Sequence, residues 1–270
     1  MDIQNKQNPL FSIITVCYNS ERTIERTIKS ILAQSFDNYE YIIIDGKSKD
    51  NTMSIVQKYA HNFNGKMRWI SEPDKGIYDA MNKGISLSNG ALIGIVNSDD
   101  WLEPNALQQV HATYLQNNES LSTIYCGHLL FHKNEGTVSE LKADLSVFRA
   151  SVKKYSMFGI RHPSAFVPKK VYSQVGLYDV NIRLSADQDF IIRAHSLGIH
   201  FCIVDAFLSN MSDGGFSNDS TSYSVALKDR KYILKKYTKS VFEYFYCISV
   251  WIIRQNIKKL FKKMRLYKVK

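Results

Sequence analysis

The sequence predicts an α/β protein whose sheet is mostly parallel and is covered by helices on both faces. Short apolar runs of strand length alternate with segments whose apolar residues recur at helical spacing, a pattern typical of βαβ units. Hydrophobic residues make up 44% and aromatic residues 12% of the 270 residues, so the chain can bury a sizeable core. No apolar run reaches the length of a membrane span, and we expect no signal peptide because residues 1–9 are polar.

The first 120 residues contain four predicted strands, each followed by a predicted helix. The strands are the β-branched or apolar runs at residues 11–18, 40–45, 67–70 and 91–96. Apolar residues then recur at helical spacing over residues 24–32, 51–61, 77–85 and 107–114. Asn19 and Ser20 follow the first strand, and we predict that they cap the first helix.

The second half of the chain is less regular. Strands are predicted at residues 121–131, 164–167 and 200–204, with a short helical turn at residues 171–175. The SADQ sequence at residues 185–188 is a capping box and predicts a helix that stops at Gly198. Residues 133–160 cannot be assigned to an element, and the Ser-, Asn- and Gly-rich residues 209–223 are predicted to form a loop.

A pair of carboxylates follows the buried strand at residues 91–96. Asp99 and Asp100 come directly after Asn97 and Ser98, and burying two such charges is costly unless solvent, a cation or hydrogen-bond donors meet them. Ligands of open α/β sheets bind at the carboxyl ends of the strands, and paired carboxylates there suit Mg²⁺ or Mn²⁺ shared with substrate phosphates. The alternative is a capped turn, in which these residues only begin a helix at residues 101–104.

Polar residues end three of the predicted strands. The carboxyl ends of parallel strands meet at one edge of the sheet. The polar residues at these ends are Tyr18 and Asn19, Asp45, and the Asp99–Asp100 pair. This convergence favours a nucleotide-binding crevice. A dinucleotide site is disfavoured because no G-x-G-x-x-G motif follows the first strand, and a P-loop is excluded because its motif is absent.

The chain resembles the family 2 glycosyltransferases, which have the Rossmann-like GT-A fold, and among them the enzymes that build bacterial surface polysaccharides such as O-antigen, capsule or exopolysaccharide. The resemblance covers roughly residues 9–213. It rests on five motifs in the family's order and spacing: TVCYNSERTIERTIKSILAQSF, IIIDGKSKDNT, EPDKGIYDAMNKGI, IGIVNSDDWL and SADQDFIIRA.

The resemblance implies an enzyme that transfers a sugar, with inversion, from a nucleotide-sugar of UDP-hexose type to a hydroxyl of a saccharide or lipid-linked acceptor. It also implies a catalytic domain at residues 1–225, with a nucleotide-binding half at about 9–120 and an acceptor half at about 121–213. Residues 226–270 then form a separate helical tail.

The residues that match the family's donor-binding positions extend over four of the motifs. Thr15, Tyr18 and Asn19 are expected to flank the nucleotide base, and Asp45 to accept a hydrogen bond from its ring N–H. Asp79 and Asn82 belong to the D-A-x-N segment that lies near the donor, and Asp99 is expected to face the ribose or a phosphate.

Two further carboxylates are expected to bind the metal and to accept the proton. The resemblance implies that Asp100 holds the divalent metal, Mg²⁺ or Mn²⁺, and that Asp187 is the general base. The family's usual acid before that base is replaced here by Ala186, which removes a paired role. Asp189 competes for the role of base, but it precedes Arg193 by four residues, and a helical ion pair explains it.

Other polar residues receive structural interpretations. His128 and His132 share one strand face without an acid beside them in the sequence, so we interpret them as surface or core histidines. His162 either approaches the acceptor or diphosphate or has a structural role, and the loop at residues 213–215 either closes over the donor or is a plain connection. The four cysteines form no C-x-x-C pair, which disfavours a zinc site or disulfide framework and favours a reducing compartment.

The C-terminal tail carries most of the net charge. Residues 254–270 contain eight Lys or Arg and no acid, and subtracting these from the total of +10 leaves +2 for the rest of the chain. With the apolar residues 241–253, they predict a basic amphipathic helix suited to an anionic membrane surface. We therefore expect a cytoplasmic protein, peripheral on the inner face of the cell membrane. Packing against the catalytic domain or a partner is the alternative, and nucleic-acid binding is not expected.

Two other functions compete with sugar transfer. A sugar-nucleotide nucleotidylyltransferase uses a related sheet but carries a Gly- and Arg/Lys-rich loop after the first strand, which NSERTIERT does not match. A non-catalytic relative that only binds nucleotide-sugar is disfavoured because Asp45, Asp99, Asp100 and Asp187 are all present.

Overall fold

A single curved sheet of nine strands organises the protein, as seen in a computed structural model that describes residues 8–213 and 222–267. The strands are β1 (Phe11–Cys17), β2 (Tyr39–Asp45), β3 (Met67–Ser71), β4 (Leu92–Ile95), β5 (Trp101–Leu102), β6 (Thr123–His132), β7 (Val138–Leu141), β8 (Ala165–Pro168) and β9 (His200–Ser212). Their order in the sheet is β3-β2-β1-β4-β8-β6-β9-β5, and β7 pairs with β6.

The helices connect these strands and then continue into the tail. They are α1 (Ile24–Leu32), α2 (Thr52–Ala60), α3 (Ile77–Leu87), α4 (Ala106–Gln116), α5 (Leu145–Val152), α6 (Lys169–Val175), α7 (Ala186–Ser196), α8 (Ser222–Tyr237) and α9 (Val241–Tyr267). Two single 3-10 turns lie at His61–Phe63 and His162–Ser164.

The first four strands form the parallel part of the sheet, as predicted. In the register between β1 and β2, Cys17 pairs with Asp45, so the ends of both strands lie side by side. All residues of β1, β2 and β4 are buried, because helices cover both faces. Side chains of Ile14 and Ile42 pack with α3 on one face, while Ile13 and Ile43 pack with α1 and α4 on the other.

The second half adds antiparallel strands to this parallel sheet. β8 lies antiparallel between β4 and β6, whereas β6 and β9 are parallel. The stretch at residues 133–160, which had no assignable pattern, forms β7 and α5. The α/β fold with helices on both faces is confirmed, and its second half is mixed rather than parallel.

Three local predictions are wrong. β9 was predicted to end near residue 204 but continues to Ser212, because its last part pairs with β5, where Leu102 lies opposite Ser209. The predicted loop therefore begins later, and its residues 214–221 lie outside the described part of the chain. Asn19 and Ser20 do not cap α1, which begins only at Ile24. The side chain of Ser185 does not cap α7 either.

The tail helices pack on the body of the protein. The Asp229 carboxylate of α8 accepts hydrogen bonds from the backbone N–H of Arg183 (3.2 Å) and Leu184 (2.6 Å), and Leu234 packs with Cys247 of α9. The predicted boundary at residues 225 and 226 lies within α8, and the division into domains stays a prediction. Within the described ranges, none of the helices is both long and apolar enough to span a membrane.

Candidate active site

The loops after β1, β2 and β4 meet at one edge of the sheet, as the parallel order requires. The backbone N–H of Asn19 donates to Ser48 Oγ at 2.8 Å, which joins the loops after β1 and β2. The hydroxyls of Ser20 and Ser98 lie 2.8 Å apart, which joins the loops after β1 and β4. Asp45 and the Asp99–Asp100 pair are thus brought to the same edge.

Asp45 is buried and its carboxylate is fully engaged by the protein. Its Oδ2 accepts from the Ser48 backbone N–H (3.0 Å) and from Ser71 Oγ (2.6 Å), and its Oδ1 accepts from Ser48 Oγ. Burial, and then the nearby Asp45 charge, raise the pKa of the Cys17 thiol. Asp45 therefore fixes the loop in this structure through Ser48 and Ser71.

The three residues predicted around the base differ in accessibility. The Thr15 hydroxyl is buried and accepts a hydrogen bond from Tyr41 at 3.0 Å, so it faces the core. Asn19 adopts a left-handed conformation, with φ of 49°, and its Oδ1 accepts from the Lys49 N–H at 2.9 Å. Tyr18, which is 59% exposed, presents its ring at the rim of the site.

A further carboxylate, Asp74, lies at this edge and was not singled out from the sequence. A Cβ atom on Gly46 would lie 2.6 Å from Asp74 Oδ2 and 3.3 Å from the Tyr18 ring, so only glycine allows this approach. Asp74 Oδ1 accepts from the Gly76 N–H at 2.9 Å, which fixes the carboxylate. The EPDKG motif contained this signal, because its acid directly precedes the segment with the predicted donor residues.

Asp100 is a buried carboxylate held at the end of the β4 loop. Its Oδ1 accepts from the Ser212 backbone N–H at 3.2 Å, and its Oδ2 from Asn97 Nδ2 at 3.4 Å. Burial and the neighbouring Asp99 raise the pKa of Asp100 to about 8. Burial likewise raises the pKa of Asp99. Ionising both carboxylates therefore costs free energy, which the positive charge nearby does not fully offset.

Arg26, which no sequence pattern singled out, brings a positive charge near Asp99 and Asp100. Its Nη2 donates to the Asp99 carbonyl and to Ser212 Oγ, each at 2.7 Å. Its guanidinium lies over the Trp101 ring, 3.7 Å from the centroid. The arginine thus ties α1 to the Asp99 backbone and to the end of β9, rather than pairing with either carboxylate.

The residues around Asp100 fit a hard divalent cation. Asn97 Oδ1 is buried and has no hydrogen-bond partner within the described chain, so an amide oxygen is available beside the two carboxylates. Oxygen ligands of this kind suit Mg²⁺ or Mn²⁺, which often bind through one or two carboxylates together with water and substrate phosphates. No group of three or more His, Cys, Asp or Glu with a ligating arrangement occurs among the described residues.

The two predicted donor residues of α3 are both engaged with the protein. Asp79 Oδ2 accepts from the Lys75 N–H at 3.0 Å and lies 3.9 Å from Lys83 Nζ. The Asn82 amide donates to the Tyr178 carbonyl (2.9 Å) and accepts from the Tyr178 N–H (3.0 Å). Asn82 therefore fastens the segment before α7 to α3, which makes its position structural in this conformation.

Asp187 and Asp189 have different environments, although they share one turn of α7. Asp189 is fully buried and bonded to Arg193 (2.8 Å), Lys236 (2.9 Å) and the Tyr237 hydroxyl (2.7 Å). The predicted Asp189–Arg193 ion pair is confirmed. Asp187 is half-buried, and among the described residues its carboxylate accepts one hydrogen bond, at Oδ1 from the Tyr78 hydroxyl at 3.0 Å. Only Asp187 thus has an oxygen available to a substrate.

The three histidines singled out from the sequence have protein partners. His128 Nε2 lies 3.0 Å from Asp205 Oδ1, and His132 Nε2 lies 2.7 Å from Asn210 Oδ1. The acid beside His128 is 77 residues away in sequence, so it could not be anticipated. His162 Nε2 lies 2.9 Å from the Tyr178 hydroxyl, and burial lowers its pKa although Asp187 acts in the opposite direction.

Comparison with known proteins agrees with this geometry. The family model described as glycosyl transferase family 2 matches residues 12–173, which is more than half of the chain. An uncharacterised glycosyltransferase of Mycobacterium tuberculosis is 31% identical over 201 residues, covering 69% of each chain. A PGL/p-HBAD biosynthesis glycosyltransferase of Mycobacterium bovis is 28% identical over 189 residues, covering 70% of each.

S. aureus TarS is among the solved structures that this chain resembles. Its residues 1–349 in complex with UDP superpose with a TM-score of 0.61 at 18% identity, covering 88% of this chain and 68% of that one. The larger TarS chain is covered to 41%. At this identity the likeness shows the GT-A fold. By its sequence and its fold, the chain belongs to glycosyltransferase family 2, and it is a glycosyltransferase.

Proposed function

We propose that this enzyme transfers a hexose, with inversion, from a uridine nucleotide-sugar to a hydroxyl of a saccharide or lipid-linked acceptor during surface polysaccharide synthesis. The observation that carries the proposal is the Asp99–Asp100 pair, in which Asp99 is half-buried and Asp100 buried, at the sheet edge where the loops after β1 and β2 also converge. Membership of the glycosyltransferase family disfavours both a nucleotidylyltransferase and a relative without activity.

The nucleotide lies, in this proposal, along the edge formed by the loops after β1, β2 and β3. Tyr18 offers an exposed ring for contact with the base, and Asp45 and Asp74 are the carboxylates beneath it. Solved complexes of TarS contain UDP and UDP-GlcNAc, which supports a uridine donor in a protein of the same fold. Asp99 is then placed to face the ribose or a phosphate.

Asp100 would hold the divalent cation, with Asp99 and the Asn97 amide oxygen beside it. When bound, Mg²⁺ or Mn²⁺ neutralises negative charge on the departing diphosphate. The raised pKa values of Asp99 and Asp100 reflect chiefly the cost of burying these carboxylates, which a bound cation would offset. The chain itself contributes the oxygen ligands, of which the Asp100 carboxylate and Asn97 Oδ1 are buried.

Asp187 acts as the general base. The acceptor hydroxyl attacks the anomeric carbon as its proton passes to Asp187, and the bond from that carbon to the diphosphate oxygen breaks with its electron pair leaving on the diphosphate. A single displacement of this kind inverts the anomeric centre. The first turn of α7 favours the ionised form that a base needs, because the helix dipole stabilises an anion there.

A screen of nucleotide-sugars by thermal shift tests the donor assignment. With Mn²⁺ present, a uridine nucleotide-sugar is expected to raise the melting temperature, since a ligand at 100 times its Kd stabilises the folded state by about 2.7 kcal/mol. Guanosine and thymidine nucleotide-sugars serve as matched controls of equal charge. A panel in which no nucleotide-sugar stabilises the protein at millimolar concentration would contradict the proposal.

The exposed face of α9 supports peripheral attachment to an anionic membrane. Large apolar side chains recur at helical spacing along this face, including Phe242 (82% exposed), Phe245 (61%) and Ile253 (56%), while Cys247 faces the body of the protein. In the sequence, residues 254–270 carry eight positive charges and no negative charge. Basic residues near an anionic surface contribute about 1 kcal/mol each, in addition to the burial of apolar area.

Replacing Phe242 and Phe245 together by serine is expected to reduce binding to vesicles containing phosphatidylglycerol at least about tenfold, because each buried Phe contributes roughly 1.5–3 kcal/mol. Co-sedimentation measures this effect. Leu197→Ser is the matched control, since Leu197 is 61% exposed but lies at the end of α7. Equal sedimentation of the double variant and the control variant would count against membrane attachment through α9.

A further inference from the structure

The hydroxyl of Tyr78 contacts the helix that carries the proposed base. Tyr78 lies in the first turn of α3, is 7% exposed, and packs its ring against Tyr178 with centroids 5.4 Å apart. Its hydroxyl donates to Asp187 Oδ1 at 3.0 Å. The backbone N–H groups of Ala186 and Asp187 face the same phenol oxygen. A tyrosine from α3 thus contacts the first turn of α7, where the Ser185 side chain makes no capping hydrogen bond.

The position of Tyr78 is fixed by a second contact from the same helix. Asn82, one turn further along α3, makes two hydrogen bonds to the backbone of Tyr178, at 2.9 and 3.0 Å. Tyr178 in turn donates to or accepts from His162 Nε2 at 2.9 Å. These contacts hold α3 against both the segment before α7 and the start of α7. The Tyr78 hydroxyl makes the hydrogen bond to the start of α7.

We propose that Tyr78 is a positioning residue that holds Oδ1 of Asp187, so that Oδ2 is the oxygen that receives the acceptor's proton. This inference rests on the proposed role of Asp187. The described residues provide no other hydrogen bond to this carboxylate, so without Tyr78 the side chain is free to rotate. Burial, and then Asp187, raise the pKa of Tyr78 well above its ordinary value. Tyr78 therefore keeps its proton while Asp187 gains and releases one.

The groups that face Asp187 are Tyr78 from α3, His162 from the 3-10 turn at His162–Ser164, and Tyr178 from the segment before α7. Burial lowers the pKa of His162, although Asp187 acts in the opposite direction. Burial is also the main cause that raises the pKa of Tyr178. In both groups burial favours the neutral form, and the hydrogen bond from Tyr78 is the contact made directly to the Asp187 carboxylate.

Tyr78→Phe tests this role. It keeps the ring and removes only the hydroxyl, so kcat is expected to fall about tenfold while KM for the donor is unchanged. Because the lost hydrogen bond stabilised the carboxylate, the acidic limb of the kcat profile is expected to move up by about one pH unit. Tyr172→Phe is the matched control: its buried hydroxyl contacts Tyr178 at 3.2 Å and not Asp187, so the profile is expected to stay in place.

Two results would overturn the positioning role. In one, the acidic limb of the kcat profile does not move in Tyr78→Phe. In the other, it moves by the same amount in Tyr172→Phe. If Tyr78→Phe does not fold, fluorotyrosine at residue 78 keeps the ring and hydroxyl but makes a stronger donor, so the limb moves to lower pH; no movement overturns the proposal. Asp187→Asn separates the hypothesis that Asp187 is the base from the hypothesis that Tyr78 positions it. Turnover in that variant refutes the base itself, whereas an inactive Asp187→Asn with an unmoved limb in Tyr78→Phe refutes only the positioning.

Discussion

Asp187→Asn is expected to lower the rate of sugar transfer by about 10²- to 10⁴-fold, the contribution typical of a general base. Asparagine has nearly the same shape and keeps an oxygen for the Tyr78 hydroxyl, so the fold and the donor site are expected to persist. The measurement is the initial rate of nucleoside diphosphate release, together with the donor Kd by calorimetry. Near-normal turnover would remove Asp187 from the mechanism.

Asp189→Asn is the matched control for that experiment, because it changes the same kind of group two residues away. The Asp189 carboxylate is fully buried against Arg193, Lys236 and Tyr237. Its loss therefore removes the carboxylate that pairs with the Arg193 and Lys236 side chains. We expect a destabilisation of roughly 2–3 kcal/mol, below the range for a fully buried pair because Lys236 is partly exposed. The rate per folded molecule is expected to stay within a few-fold of the wild type.

Asp100→Asn is expected to abolish the Mn²⁺-dependent part of donor binding. Losing a direct ligand costs more than the about 10- to 100-fold caused by losing an outer partner of a metal site. The fold is expected to tolerate the change, because the raised pKa of Asp100, about 8, shows that burial already disfavours its charge. Titration of UDP with and without Mn²⁺ measures the effect.

Asp37→Asn is the control for the metal prediction, since the Asp37 side chain is 91% exposed and pairs with Lys66 away from the loop after β4. Its donor affinity is expected to depend on Mn²⁺ as in the wild type. A Mn²⁺ dependence that is equal in Asp100→Asn and Asp37→Asn contradicts the placement of the cation.

The parallel half of the fold could be predicted because strands that are buried on both faces have short, continuous apolar sequences. β1, β2 and β4 are short and mainly apolar without alternation, and polar residues lie at or shortly after the end of each on the shared edge. The predicted ends of these strands fall within a residue of those observed. The crevice with Asp45 and the Asp99–Asp100 pair follows from topology alone, since parallel strands place their carboxyl ends together.

The second half could not be predicted in the same way, because its pairings join distant and partly polar segments. β5 has two residues, and its partner at Ser209 and Asn210 lies in a stretch whose composition is that of a loop. At the start of α7 the Ser185 side chain makes no capping hydrogen bond, and the hydroxyl of Tyr78, 109 residues before Asp187, donates to the Asp187 carboxylate instead. The local capping signal could not predict this tertiary contact.

The roles of individual site residues were the hardest to predict. Asp45 and Asn82 have the types expected of ligand contacts, yet their polar atoms are engaged by Ser71 and Tyr178, which lie 26 and 96 residues away. A single sequence shows which residues carry suitable groups, but not which neighbours already satisfy them. Asp187 and Asp189 are the exception, because helical spacing alone assigned Asp189 to its ion pair with Arg193.

The most direct measurement is transfer of label from a radiolabelled uridine nucleotide-hexose, in the presence of Mn²⁺ and a bacterial lipid extract, by wild-type protein and Asp187→Asn side by side. The wild type is expected to place the label in an organic-soluble product and to release UDP in equal amount, whereas Asp187→Asn binds the donor and forms no product. Label that stays on the donor with the wild type, or equal product from both proteins, would contradict sugar transfer at this site.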